Sequence, residues 1–179
     1  MESQRWRLLG GAAEVLAERG YAGIRIADIA ARAGVSRGTF YEQFEDLAAC
    51  LLASYEMAAD CVCDLAGSAC GGEGEWEARL RTALEEILCF FAEEPALAHL
   101  LGAELAAGVP AIAAARERLI FRLAGMGAER LSVEGALSIV SERVAAGDAA
   151  CLPELAPQLA ELIRRGSELR PPPPAAPAM

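Results

Sequence analysis

The hydrophobic positions of this chain recur at helical spacing along most of its length. The clearest stripe has an apolar residue at every third or fourth position from Trp76 to Phe91 and ends before Pro95. Similar patterns predict further helices at about 3–19, 24–33, 37–44, 47–67, 96–107, 110–123, 132–146 and 153–165. We therefore expect an all-α fold of three short N-terminal helices followed by about six more.

Glycine, serine and proline mark the ends of these helices. Gly34 can adopt a positive φ in the turn between the second and third helices, and Ser36 can cap the third. Pro157 must fall in the first turn of the last helix or kink it. The Pro- and Ala-rich segment 169–179 cannot build a core, and we expect it to be disordered or extended.

Composition supports helices over strands. Hydrophobic residues make up 54% of the 179 residues and aromatic residues only 6%, so the apolar mass is mostly Ala and Leu. The N-terminus lacks the pattern of a secretory leader, and no apolar run is long enough to cross a membrane. We expect a cytoplasmic protein that makes no membrane contact.

The net charge of −10 is distributed unevenly. Residues 1–50 hold six Arg against seven acids, whereas the remainder holds ten Arg against 19 acids, and the chain has no Lys. The acidity therefore belongs mainly to the C-terminal part. The N-terminal part can still present arginines to an anionic partner, so charge neither proves nor excludes nucleic-acid binding.

The side chains that could carry chemistry are few. Cys61 and Cys63 invite a metal or redox interpretation together with Cys70, but residues two apart on a helix point about 200° apart, which favours free thiols in the core. His99 is the only histidine and has no catalytic partner nearby in sequence. Without a nucleophile–base pair, a metal-ligand cluster or a phosphate loop, we expect no enzyme, no metal and no cofactor.

Two short helices joined by an Ala-Gly-Val turn form a candidate helix-turn-helix, whose second helix would enter the major groove of DNA. Arg37 at its start can reach guanine O6 and N7. Gly38 allows close backbone approach, and the hydroxyls of Thr39 and Tyr41 suit phosphate oxygens. The alternative interpretation is an ordinary three-helix bundle in which Ser36 is only a cap.

Residues 20–44, with the pattern IA..AGVS.GT.Y..F, closely resemble the head of the tetracycline-repressor (TetR) family. The resemblance covers residues 7–52 and, more loosely, the segments 94–98 and 152–155 of the remainder. It implies a helix-turn-helix DNA-binding domain at 1–46 and an effector-binding, dimer-forming helical body at 47–168. The implied DNA-binding residues are Arg25, Ser36, Arg37, Gly38, Thr39, Tyr41 and Gln43.

The resemblance also implies a function. The protein would be a homodimeric transcriptional regulator that binds a palindromic operator in double-stranded DNA, most simply a repressor released by a small apolar effector, with activation left open. Candidate effector-binding residues, which can equally be core, are Trp76, Phe90, Phe91, His99 and Phe121. Two apolar stripes along the last two helices predict the dimer interface: Val133, Leu137, Val140 and Val144 on the first helix, and Leu155, Leu159, Leu162 and Ile163 on the second.

Three positions depart from the family pattern. Leu47 stands where a Lys is usual, Glu42-Gln43 replaces an aromatic residue and His, and Ile24-Arg25 replaces a hydroxyl residue at the start of the second helix. The first two differences remove cations from the DNA-facing side. The missing Lys and the near-neutral charge of residues 1–50 motivate an alternative function, a helical ligand-binding or interaction protein with a vestigial head.

Overall fold

The computed structural model describes residues 2–102 and 109–168, which form helices joined by turns, with no strand among them. The helices are α1 (Glu2–Gly23), α2 (Ile26–Arg32), α3 (Arg37–Gln43), α4 (Leu47–Cys70), α5 (Trp76–Glu93), α6 (Pro95–Gly102), α7 (Pro110–Ala124), α8 (Arg130–Ala145) and α9 (Ala156–Glu168). A 3₁₀ segment, Ala149–Leu155, precedes α9. The predicted all-α fold is confirmed.

The first three helices follow the predicted order with small shifts at their ends. Gly20 interrupts α1 with a φ of 65° and a ψ of 171°, and one further turn follows where we expected the helix to have ended. Arg25 is extended, with a φ of −135°, so α2 begins at Ile26 rather than at Ile24. Gly34 has the predicted positive φ, 64°, and the turn closes where the amide of Val35 donates to the carbonyl of Ala30 at 3.0 Å.

A single hydrophobic core runs from the first helices into the rest of the chain. Helix α1 packs against α4 and α6 as well as α2. The buried hydroxyl of Ser54, on α4, donates to the carbonyl of Leu9, on α1, at 3.1 Å. Apolar packing and a buried hydrogen bond therefore both join α1 to α4. The division between 1–46 and 47–168 stays a prediction.

The C-terminal helices correct one expectation. Val133, Val140, Leu155, Leu159 and Ile163, which we assigned to a dimer interface, are buried inside the subunit. The reason is the close contact of α8 and α9, since a Cβ on Gly166 would lie 1.8 Å from the hydroxyl oxygen of Ser132. The assignment of those five residues was wrong, whereas Leu162 of the predicted stripe is exposed and lies, with Leu131, on the outward faces of the two helices.

The remaining elements agree with the pattern or lie outside the described residues. Pro157 is the second residue of α9 and so falls in its first turn, while Pro153 belongs to the 3₁₀ segment rather than to an α-helix. Helix α6 is described only to Gly102, and the rest of its predicted span and the tail 169–179 are outside. None of the described helices has the length and apolar character needed to cross a bilayer.

Candidate nucleic-acid interface and internal cavity

The N-terminus of α3 is held by Ser36. Its hydroxyl oxygen accepts a hydrogen bond from the amide of Thr39 at 3.0 Å, which is the predicted cap, and lies 3.0 Å from the hydroxyl oxygen of Thr39. Phe40 is buried on the inner side of α3 and contacts the ring of Phe44 at 5.7 Å. This packing leaves the first turn of α3 facing solvent.

The residues expected to contact DNA gather around that exposed turn. Arg25, Ser36, Arg37 and Gly38 are exposed, as is Tyr41 at 53%, while Thr39 and Gln43 are partly buried. Gln43 is tied to α1 through its backbone, because its carbonyl accepts a hydrogen bond from Arg5 at 3.3 Å. The guanidinium of Arg5 also lies 4.5 Å from the ring centre of Phe44.

Gly38 is not required by the chain's own packing. A Cβ at this position would meet only the hydroxyl oxygen of Ser36, at 3.4 Å, and the backbone shows no positive φ. Glycine near the start of a helix is unfavourable relative to alanine. The space in front of Gly38 therefore faces outward, where a partner can approach the backbone.

The head arginines fall into two groups. Arg19 pairs with Asp28 at 2.8 Å, and Arg32 pairs with Glu14 and Glu18, both at 2.6 Å. The hydrogen bonds that Arg32 donates to Glu18 and to Glu14 raise its pKa above the ordinary value, with the bond to Glu18 contributing most. The second group consists of Arg5, Arg7, Arg25 and Arg37. Within the described residues, none of these four makes an ion pair with an acid. Arg7 lies over the helix-turn-helix, since its Nη1 would be 3.6 Å from a Cβ on Gly34.

An apolar cavity of about 90 Å³ lies in the body and is lined by residues of α4, α5, α7, α8 and α9. Val62, Leu88 and Val140 are among its inner residues, and Cys70 and Trp76 line the end nearest the α4–α5 turn. Every lining side chain is apolar apart from the thiol of Cys70 and the indole N–H of Trp76. An uncharged hydrocarbon is the ligand surface that such a wall accommodates.

The candidate effector residues are dispersed. Trp76 and Phe91 line the cavity, and Phe90 packs beside Phe91 with ring centres 5.7 Å apart. His99 lies in a separate groove between α1, α6 and α8, whose wall also holds Glu14, Glu18 and Arg32. Phe121 is on the outside of α7, with 77% of its surface exposed.

Sequence reasoning missed Arg79, which is flanked on α5 by residues that line the cavity. It is one turn of α5 beyond Trp76 and precedes Leu80, and both of those residues line the cavity. Its Nη1 donates to the carbonyl of Gly72 at 3.1 Å, while its buried Nε has no hydrogen-bond partner in the described part of the chain. The spacing from Trp76 was the available signal, but an arginine on a helix is ordinarily read as solvated.

Burial governs the cysteines nearest the core. It raises the pKa of the Cys50 thiol to about 12, and it also raises the pKa of Cys61, Cys63 and Cys70. Cys89 and Cys151 are exposed. In the described ranges, no three His, Cys, Asp or Glu side chains are grouped so as to hold a metal ion.

Comparison with known proteins agrees with this geometry. Residues 8–53 match the model of the family described as bacterial regulatory proteins, tetR family. A segment of 56 residues is 48% identical to the HTH-type transcriptional regulator CymR of Pseudomonas putida, covering 31% of this chain and 27% of that protein. The matched segment thus spans about a quarter of the length of that relative.

The similarity of fold extends over most of the chain. The transcriptional regulator FadR of Bacillus subtilis, solved in complex with stearoyl-CoA, superposes with a TM-score of 0.75 over 90% of this chain and 98% of that one, at 19% identity. A TetR-like regulator from Rhodococcus sp. RHA1 gives a TM-score of 0.68 at 24% identity, over 93% of this chain and 97% of that one. The head at residues 8–53 therefore matches the TetR family of bacterial regulatory proteins, and the described helices share the fold of TetR-like regulators.

Proposed function

We propose that this protein is a homodimeric, cytoplasmic transcriptional regulator that binds a palindromic operator and is released from it by a small-molecule effector. The observation that carries the proposal is the exposed first turn of α3, where Arg37 has no partner in the described residues and Gly38 has no packing role. An unpaired guanidinium beside an open glycine suits close contact with DNA.

In the proposed complex α3 lies in the major groove. Arg37 contacts guanine O6 and N7, and Gly38 lets the helix approach the bases. Arg25, Thr39, Tyr41 and Gln43 contact the phosphate backbone. Ser36 holds the first turn of α3 in place, because the amide of Thr39 already occupies its hydroxyl oxygen. These roles divide the site into side chains that specify sequence and side chains that position the protein.

The proposed dimer uses the outward faces of α8 and α9. Leu131 is 73% exposed and Leu162 is 36% exposed. Leu162 lies against Gly135, its Cδ2 being 3.6 Å from where a Cβ would stand, and Gly135 is one turn from Leu131 on α8. An apolar face with a glycine at its centre suits the close, self-complementary contact of a two-fold dimer. Two heads related in this way would read two half-sites.

The proposed effector site is the cavity between α4 and α9. An apolar cavity of about 150 Å³ can hold a molecule as small as benzene. The cavity of about 90 Å³ is smaller, so a ligand larger than benzene would enter it only if its walls moved apart. Helix α4 is one of those walls and is joined to α1 by the bond from Ser54 to Leu9. Effector binding would favour a body conformation whose head spacing no longer fits the operator. The stearoyl-CoA complex of B. subtilis FadR supports a ligand with a long apolar part.

A gel-shift assay on the gene's own upstream region tests the proposal. We expect the parent to bind specifically and Arg37→Ala to lose discrimination by about 1–3 kcal/mol, the value of a bidentate guanine contact. Arg81→Ala, which removes an exposed arginine from α5, is the matched control and should bind as the parent does. If the parent shows no specific binding to any sequence in a binding-site selection, the alternative of a ligand-binding protein with a vestigial head replaces the proposal.

A further inference from the structure

The cavity has no place for a charged group, yet an arginine stands at its edge. Its nineteen lining residues include no acid, base or amide. Placing a polar head group among them would be unfavourable, because no hydrogen-bond partner replaces water there. Any polar part of a ligand must therefore lie at the end of the cavity, where Cys70 and Trp76 meet the α4–α5 turn.

Arg79 is positioned at that end. It lies between Trp76 and Ala83 on α5, three residues after the first and four before the second, and both line the cavity. Residues at this spacing share one helix face. The hydrogen bond to Gly72 places the guanidinium at the α4–α5 turn. Burial raises the pKa of the nearby Cys70 thiol, and the positive charge of Arg79 partly opposes that rise.

The guanidinium is incompletely satisfied. It has five N–H donors, of which one donates to Gly72 and another, the buried Nε–H, finds no acceptor. Several other arginines of the body pair with carboxylates, as Arg118 does with Glu56 and Arg130 with Glu117, whereas in the part of the chain that the structure describes the exposed Arg81 does not. No ion pair joins Arg79 to a carboxylate in residues 2–102 and 109–168. A buried donor left on a cation costs stability unless an acceptor, above all an anion, completes it.

We infer that the effector is an amphiphile with an anionic head group, which Arg79 binds at the end of the cavity while the apolar chain occupies the space between α4, α5 and α8. A carboxylate or a phosphate monoester fits the planar guanidinium fork, which can offer Nε–H and one Nη–H together. This inference rests on the proposed effector site and gives the chemical class of its ligand.

The test measures binding of matched probes by the fluorescence of Trp76. The chain has two tryptophans, and Trp6→Phe removes the other, which is exposed in the head. The probes are octanoate, decanoate and dodecanoate, the alkyl phosphates of the same chain lengths, and the corresponding 1-alkanols. We expect at least one anion series to bind about 10- to 100-fold more tightly than its alcohols, as a charge-assisted hydrogen bond provides. Comparison of carboxylates with phosphates identifies the head group.

Variants locate the contact. Arg79→Gln should remove the preference for the anion and leave the affinity for the alcohol unchanged, while Arg79→Lys should retain part of it. Arg81→Gln, two residues along α5 and exposed, should behave as the parent does. Circular dichroism verifies that each variant folds. If Arg79→Gln does not fold, the anion preference of the parent and its reduction in Arg79→Lys still test the inference.

Three outcomes would overturn the inference: alcohols that bind as tightly as the anions, an anion preference that survives Arg79→Gln, or no binding of any anion in the two series. A gel shift without added probe separates these failures from failure of the proposed function. If the parent binds its operator and the alcohols bind as tightly as the anions, the proposed function stands and only the anionic head group is ruled out.

Discussion

The indole of Trp76 lies directly against the backbone of Gly127, so that a Cβ on Gly127 would stand 2.7 Å from the indole Nε1. Gly127 has a φ of 109°, which glycine adopts readily and other residues adopt only with strain. The contact joins the start of α5 to the α7–α8 turn and covers one end of the cavity.

Replacing Gly127 should destabilise the protein in two ways. Gly127→Ala imposes both the strained φ and the collision with Trp76, and we expect a loss of about 2–4 kcal/mol, with strain alone costing about 1–3 kcal/mol. Gly74→Ala is the control, because Gly74 has a φ of 113° but nothing within 4 Å of its would-be Cβ. Urea unfolding gives both values. Equal losses would show that the Trp76 contact contributes nothing.

Gly38→Ala should separate stability from DNA binding. Alanine is favoured over glycine within a helix by about 0.5–1 kcal/mol, and the site has room for the methyl group, so the free energy of unfolding should rise. Operator affinity should fall, because the methyl group holds the helix away from the bases. Denaturation and gel-shift titration of the same sample measure the two effects, and unchanged affinity would remove Gly38 from the interface.

The salt dependence of DNA binding should be shallow. Each neutralised phosphate adds about −0.9 to the slope of log K against log salt, and two or three free arginines per head predict a slope of about −4 to −6 for a dimer. Arg25→Ala should flatten it by about two units per dimer, since both subunits lose a contact. Arg19→Ala is the control, because Arg19 is engaged by Asp28. A parent slope near −10 would contradict the prediction.

The outward and inward faces of α8 and α9 should respond differently to charge. Leu162→Glu and Leu131→Glu should give folded monomers, since both side chains face solvent within one subunit. Val140→Glu and Leu159→Arg should instead unfold the subunit, because an unpaired buried charge costs about 3–5 kcal/mol. Light scattering and circular dichroism distinguish the two results. Intact dimers of both outward variants would remove this face from the interface.

The thiols should react in an order set by burial. A raised pKa leaves less thiolate at a given pH, so Cys50, with a pKa of about 12, should resist iodoacetamide at mildly alkaline pH. Cys89 and Cys151 are exposed and should be alkylated first. Peptide mass spectrometry after timed quenching gives the order, and early labelling of Cys50 would show that the core opens readily.

The sequence was most informative where one residue type is physically required. Gly34 and Ser36 predicted the turn and the cap of α3, because few other residues adopt that φ or accept that hydrogen bond. It was least informative on α8, where small and apolar residues lie on several sides and no single stripe defines the buried face. Arg79 illustrates the same limit, since its unsatisfied Nε depends on the arrival of the α4–α5 turn from another part of the fold.

The hydrogen bond between Ser54 and Leu9 also determines where a chimera between two regulators of this fold should be joined. The first two turns of α4 complete the core of the preceding helices, and Ser54 and Tyr55 have no solvent exposure at all. A junction placed at residue 46 would graft foreign α4 residues onto α1 and remove the side-chain hydrogen bond from Ser54 to the Leu9 carbonyl. A chimera that exchanges operator specificity between relatives should therefore transfer the head together with α4 as far as Tyr55. The segment that must be exchanged to change DNA recognition is thus longer than the segment that contacts DNA.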